Sequence, residues 1–229
     1  MSHFSVLVLH AKDDSFEDLL APFDENLEVK PYLYMSHKEA VEEMEQGLAT
    51  LNPDVQEKYK LMSETDRLRS YFGGIIDEEG NIWSTYNPQS RWDWYSVGGR
   101  WGKHPIPLKD GSSAVECPVS EIDFGVDQEE YDDALKRWSE LTTEDEDHLL
   151  KSEYFKIRYK DAETFARSQS QFSTHAIVTP DGKWIEKGKM GWFAYCSATP
   201  EEERAWDENY EALVSEYKDY VATFVDCHI

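Results

Sequence analysis

The sequence predicts an α+β fold: a mainly antiparallel central sheet that holds both terminal strands, with helices packed on it and one acidic helical excursion. Three observations lead there. Apolar, β-branched runs stand at both ends, "FSVLVLH" from residue 4 and "VATFVDCHI" from residue 221. Between them, helical patterns and hairpin signals follow one another without the regular strand–helix alternation of a parallel sheet. No internal repeat or flexible linker breaks the chain, so residues 1–229 read as a single domain with 127–170 as a helical excursion within it.

The elements follow in order. "FSVLVLH" ends in a charged turn at Lys12–Asp14 and reads as a buried strand. "SHKEAVEEMEQGLATL" opens on Ser36 with Glu39 three residues on, a capping box that predicts a helix. "VQEKYKLMSETDRLRSYF" predicts a second, continuous helix closed by Gly73–Gly74, and "GIIDEEGNIWSTY" two short strands about a turn. Pro and Gly punctuation from His104 to Phe124 predicts edge strands and loops. "EEYDDALKRWSEL" and "EDEDHLLKSEYFKI" are the clearest helical pieces of 127–170, and "THAIVTPDGKWIEKGKMGWF" is a hairpin about Pro-Asp-Gly. In "TPEEERAWDENYEALVSEYKDY", Thr199 is the N-cap, Pro200 the first helical residue, and three glutamates meet the positive end of the dipole.

Charge excludes several function classes. The 229 residues carry 47 acids against 23 Lys and Arg, a net charge of −24. Direct nucleic-acid binding and attraction to an anionic membrane are therefore not expected, and a basic protein partner is. "FSVLVL" is too short for a secretory core and nothing approaches a transmembrane span. The three cysteines lack CxxC spacing, which fits a reduced, cytoplasmic protein. Neither GxxxxGK[ST] nor GxGxxG occurs, and no cofactor is expected.

The densest chemistry is "NPQSRWDWYSVGGRWGKH", residues 87–104, where three of the eight tryptophans fall within ten residues. An extended 91–95 would put Trp92 and Trp94 on one face and Arg91, Asp93 and Tyr95 on the other. Gly98–Gly99 permits positive φ and a close backbone approach, Trp101 adds a third indole, and Arg100, Lys103 and His104 gather positive charge. Arginine pairs with phosphate or carboxylate and tryptophan stacks on flat rings, so the motif suits a nucleotide-like or other phosphorylated ligand. The competing reading is a purely structural aromatic wedge, since burying two indoles stabilises a fold by ~2–3 kcal/mol each.

Five segments together resemble a family of bacteriophage and prophage proteins: "MSHFSVLVLH", "LAPFDENLEVKPY", "NPQSRWDWYSVGGRWGKH", "DGKWIEKGKMGWF" and the terminal "VDCHI". The resemblance touches both ends and the centre. It implies a setting and no reaction: an accessory protein in the cytoplasm of a bacterial host, where interference with host defence is a common task.

Two further constellations stand apart. Asp226 and His228 share a face of the last strand, and if the terminal strands are neighbours, His10 could join them as a metal site or an acid–base pair. Cys227 beside His228 fails as a nucleophile pair because consecutive strand residues point to opposite faces. The runs "DQEEYDD" and "TEDEDH" read as solvated helix faces or as an acidic partner surface that includes Asp132, Asp133, Asp145 and Asp147. Three functions are therefore open: binding or processing of a phosphorylated ligand at 91–104, inhibition of a basic host surface by the acidic helices, and metal-assisted hydrolysis by His10, Asp226 and His228. The sequence leaves the oligomeric state and the occurrence of any reaction open.

Overall fold

The computed structural model describes residues 2–102, 105–142, 149–191 and 195–229. Its α+β architecture divides into two compact units, one formed by Met1–Asp24 with Gln89–Ile229, the other by Glu25–Pro88. The first unit opens with β1 (His3–His10) and α1 (Phe16–Leu20). The second contains β2 (Tyr32–Met35), α2 (His37–Ala49), α3 (Pro53–Lys60), α4 (Glu64–Phe72), β3 (Ile75–Ile76) and β4 (Ile82–Ser84). The chain returns to the first unit through β5 (Trp94–Val97), β6 (Ile106–Pro107), β7 (Ser113–Ala114) and β8 (Glu116–Pro118). Then come α5 (Gln128–Leu141), α6 (Leu149–Tyr159), α7 (Ala162–Ser170), β9 (Ala176–Val178), β10 (Trp184–Glu186), α8 (Pro200–Ser215) and β11 (Val221–His228).

The central sheet runs β10-β9-β1-β11-β5, with β8 also paired to β11. Both terminal strands lie in it side by side, antiparallel over their whole lengths, with His3 opposite His228 and His10 opposite Val221. The sheet is mixed: β9 runs parallel to β1, and the other pairings are antiparallel. Both strands are buried on two faces, which explains their nearly continuous apolar runs. On one face Leu7, Leu9, Ala222 and Phe224 pack with Trp206, Tyr210 and Val214 of α8. On the other, Phe4, Val6, Val8, Val225 and Cys227 pack with Leu20, Phe23 and Trp92.

The predicted caps are in place. Thr199 and Ser36 each form a full capping box, with Glu202 and Glu39 respectively. The predicted second helix is two helices, because the chain breaks after Leu61 and Ser63 caps α4 by accepting from Asp66 N–H. That unit closes its own small core around Met44, Leu48, Leu68 and Ile82. In the first unit, α5 and α7 bury Ala134, Phe165 and Ala166 between them, leaving the acidic side of α5 in water. Among the described residues, no helix is long and apolar enough to cross a membrane.

His175, leading into β9, couples this fold to pH. Burial lowers its pKa to about 4, against the opposing effect of a hydrogen bond to Gly188, and its Nε2 is buried without a partner among the described residues. The unfolded chain therefore binds a proton that the folded chain refuses. Stability should fall by roughly 3 kcal/mol as pH drops from about 6.5 to about 4. Urea titrations across that window should show the loss, and His175→Gln should flatten it; an equally steep loss in the variant would assign the effect elsewhere.

Candidate functional site

The antiparallel register of the terminal strands creates a cluster that neither end contains alone. His3, at the start of β1, faces His228, at the end of β11, and Ser5 faces Asp226 one pleat further in. On the other side of β11, His228 pairs with Trp94 and Asp226 with Ser96. Cross-strand neighbours share a face, so His3, His228 and Trp94 form one row and Ser5, Asp226 and Ser96 the next. These rows continue the face occupied by Leu7 and Phe224.

Each histidine is held by its own carboxylate. His3 Nδ1 lies 2.8 Å from Asp226 Oδ1, and His228 Nδ1 lies 2.6 Å from Asp93 Oδ1. Asp226 is buried, and its second oxygen accepts from the Arg100 backbone N–H at 2.9 Å. An ionised carboxylate can only accept, so each neutral imidazole carries its proton on Nδ1 and keeps a lone pair on Nε2. Neither Nε2 bonds to a described residue. The His3 ring meets the His228 ring edge to face at 5.1 Å and the Trp94 ring at 5.3 Å. Trp94 stacks on His228 at 5.1 Å with 21° between the planes, while 45% of its surface stays exposed.

The Gly-Gly pair explains how the loop reaches this row. Gly98 donates to Phe224 O at 3.0 Å, and Gly98 and Gly99 hold φ of +70° and +51°. A Cβ at Gly99 would overlap the Asp226 side chain. The close approach expected for a ligand is thus made by the protein's own carboxylate. Beyond it, Trp101 packs edge to face on Phe224, leaving 41% of its own surface exposed.

The other candidates from residues 87–104 separate. Arg91 and Trp92 both donate their backbone N–H to Phe23 O, so the chain there follows Phe23 and β5 begins only at Trp94. The predicted alternation of 91–95 therefore fails. Trp92 turns to the opposite face, donates its indole N–H to Leu20 O at 3.3 Å and meets Tyr95 at 5.2 Å. Asp93 and Trp94, expected on opposite faces, both engage His228. Arg91 bonds Ser90 O and lies 3.5 Å from Glu186. Tyr95 is half-buried among Phe16 and Trp92, and burial raises its phenol pKa, as do the nearby Glu17 and Cys227. Arg100 contributes its backbone N–H, and its exposed guanidinium pairs with no described residue. Lys103 and His104 lie outside the described residues.

The proposed His10–Asp226–His228 set is not assembled. His10 sits at the far end of β1, on the opposite face, where Nε2 meets Thr223 Oγ1 at 2.9 Å and Nδ1 meets Ala11 O. Its place beside Asp226 and His228 is taken by His3. Among the described residues, no group of three or more His, Cys, Asp or Glu is placed to hold a metal ion. Of the acidic candidates, Asp132 accepts from Gln128 and Asp133 pairs with Lys136, both in water. Asp145 and Asp147 fall outside the described residues. A cavity of about 240 Å³ lies away from the histidines, lined by Arg158, Arg167, Lys187, Glu203 and Asp207. Its charges are largely matched, Arg158 with Glu203 at 2.7 Å and Lys187 with Asp207 at 2.8 Å.

Comparison with protein-family models, curated proteins and solved structures finds no match to the chain.

The contact between Gly99 and Asp226 has a measurable consequence. Gly99→Ala forces a left-handed φ on a residue with a Cβ and drives it into a buried carboxylate, so it should cost at least about 1–3 kcal/mol. Gly111→Ala is the control, because its φ is +81° but nothing lies near its Cβ. If thermal melts show the same loss for both, backbone strain alone accounts for it and the Asp226 contact is unimportant.

Proposed function

We propose that the chain is a phage accessory protein of the bacterial cytoplasm that binds and processes a phosphorylated, nucleotide-like ligand. His3 and His228 act as its acid–base pair. The observation that carries this reading is the meeting of two histidine–carboxylate pairs beside an exposed tryptophan. One imidazole with a free Nε2 lone pair removes a proton. The other, protonated, returns one to a leaving oxygen, which is the division of labour that acid–base catalysis requires. Asp226 and Asp93 orient the rings through Nδ1, as a carboxylate does behind a catalytic histidine. Trp94 offers a face on which a base can stack, and the Arg100 guanidinium is free to meet a phosphate. The phage setting rests on the resemblance of the five segments.

A second reading, an acidic inhibitor that covers a basic surface of a host defence protein, draws on the exposed acids of α5. It requires that Asp132→Lys with Asp133→Lys abolish the biological effect while His228→Ala leaves it intact.

The acid–base reading predicts turnover of a phosphorylated nucleotide or a phosphodiester that peaks at intermediate pH, since one ring must be neutral and the other charged. His3→Ala and His228→Ala should each lower the rate by ~10²–10⁴-fold. Both variants should melt lower, His3→Ala because it leaves the buried Asp226 carboxylate without one of its two partners, so rates are compared at a temperature where each is still folded. Full activity in both variants would remove the histidines from the chemistry.

A further inference from the structure

We infer that the substrate is a short ribonucleotide phosphodiester whose own 2′-hydroxyl is the nucleophile, so that the site performs an internal transfer at phosphorus. This deepens the acid–base reading above and rests on it.

Transfer at phosphorus needs an attacking atom. In sites that use a side-chain nucleophile, the hydroxyl or thiol is hydrogen-bonded to the base that activates it. Around His3 and His228 the candidates are otherwise placed. Cys227 faces the opposite side of the sheet, and burial holds its pKa well above that of a free thiol. Tyr95 shares that opposite face with Trp92. The Ser2 hydroxyl donates to Gly191 O, and the Ser5 hydroxyl accepts from His175 N–H. Ser96 stands beside Asp226, one pleat from the histidine row, and bonds to neither histidine among the described residues. Two imidazoles, each held through Nδ1, thus stand side by side with no attacking hydroxyl or thiol bonded to either among the described residues.

Magnitudes then choose the substrate. A general acid and a general base supply ~10²–10⁴-fold each. Unactivated phosphate esters are among the slowest of all reactions in water, and the acceleration they need is far larger. A hydroxyl already next to the phosphate adds an effective molarity of ~10⁵–10⁸ M. A 2′-hydroxyl beside a 3′-phosphodiester is that arrangement. Charge sets the size of the substrate. A chain of net charge −24 with Asp93 and Asp226 at the site repels a long polyanion, whereas a single diester with a base on Trp94 carries little charge to repel.

The step balances. The neutral histidine takes the proton of the 2′-hydroxyl while O2′ forms a bond to phosphorus. The P–O5′ bond breaks, and the protonated histidine gives its proton to the departing O5′. The products are a 2′,3′-cyclic phosphate and a 5′-hydroxyl, and the two rings have exchanged protonation states.

The test uses the full chain and three probes: the ribodinucleotide ApA, its deoxy counterpart d(ApA), and bis(p-nitrophenyl) phosphate, a diester with no internal hydroxyl. The expected result is conversion of ApA to adenosine and adenosine 2′,3′-cyclic phosphate, with d(ApA) at least ~10³-fold slower. His3→Gln and His228→Gln should each lose ~100-fold or more at a temperature where melts show both variants folded, and Ser96→Ala should keep its rate. If d(ApA) or the nitrophenyl ester is turned over as fast as ApA and the histidine variants abolish it, the internal-nucleophile inference is wrong and the acid–base reading stands. Loss of activity in Ser96→Ala with the fold intact would likewise overturn it in favour of a covalent route. Cleavage of none of the three, or cleavage that survives both histidine substitutions, overturns both.

Discussion

The register between the first and last strands is the constraint on which the rest depends. Pairing His3 with His228 makes two chain segments more than two hundred residues apart into one pair of rows. It places the apolar residues of both strands on two buried faces, and it leaves a polar remainder of His3, Ser5, Asp226 and His228 at one end. A one-residue slip would move every side chain to the other face. The two carboxylates would then lose the histidines that they hold. Fold and candidate site are thus one structural decision, and any change that weakens the pairing should be felt in both.

Burial gives this end of the sheet its chemistry. Asp226 is almost inaccessible to water and satisfies both oxygens within the protein, through His3 and the Arg100 backbone. A buried carboxylate with two charge-assisted partners is costly to disturb, since removing either partner leaves a desolvated charge. Asp93 is half-exposed and holds His228 from the loop that leads into β5. His3 is therefore anchored to a buried carboxylate, and His228, itself buried, to a partly exposed one.

Much of the fold was legible because its signals are local. The capping boxes at Ser36 and Thr199, the Pro-Asp-Gly hairpin and the two apolar terminal runs each fix an element from a few residues. The break at Leu61–Ser63 is not legible, because helical patterns on either side mask the cap at Ser63. The site was legible in part. Asp226 and His228 stood out by their spacing, and Gly98–Gly99 by its need for positive φ, but what approached the glycines was Asp226 and no ligand. His3 carries no local signal; it is legible only from the equal lengths of "HFSVLVLH" and "VATFVDCH", since an end-to-end antiparallel register puts their outer histidines together. His10 lies at the other end of β1, opposite Val221. The tryptophans were misplaced for a physical reason: Arg91 and Trp92 bond to Phe23, so the strand starts later than its pattern suggests.

Both histidines are held through Nδ1, which leaves the lone pair of each neutral ring on Nε2. Nitrogen-15 NMR of the imidazoles at a pH where both are neutral tests it directly, with His3→Gln and His228→Gln assigning the two signals. The Nδ1–H tautomer is expected for His3 and for His228, each with the strongly deshielded proton of a carboxylate partner. Finding the Nε2–H tautomer at both, as in a free solvated histidine, would contradict it.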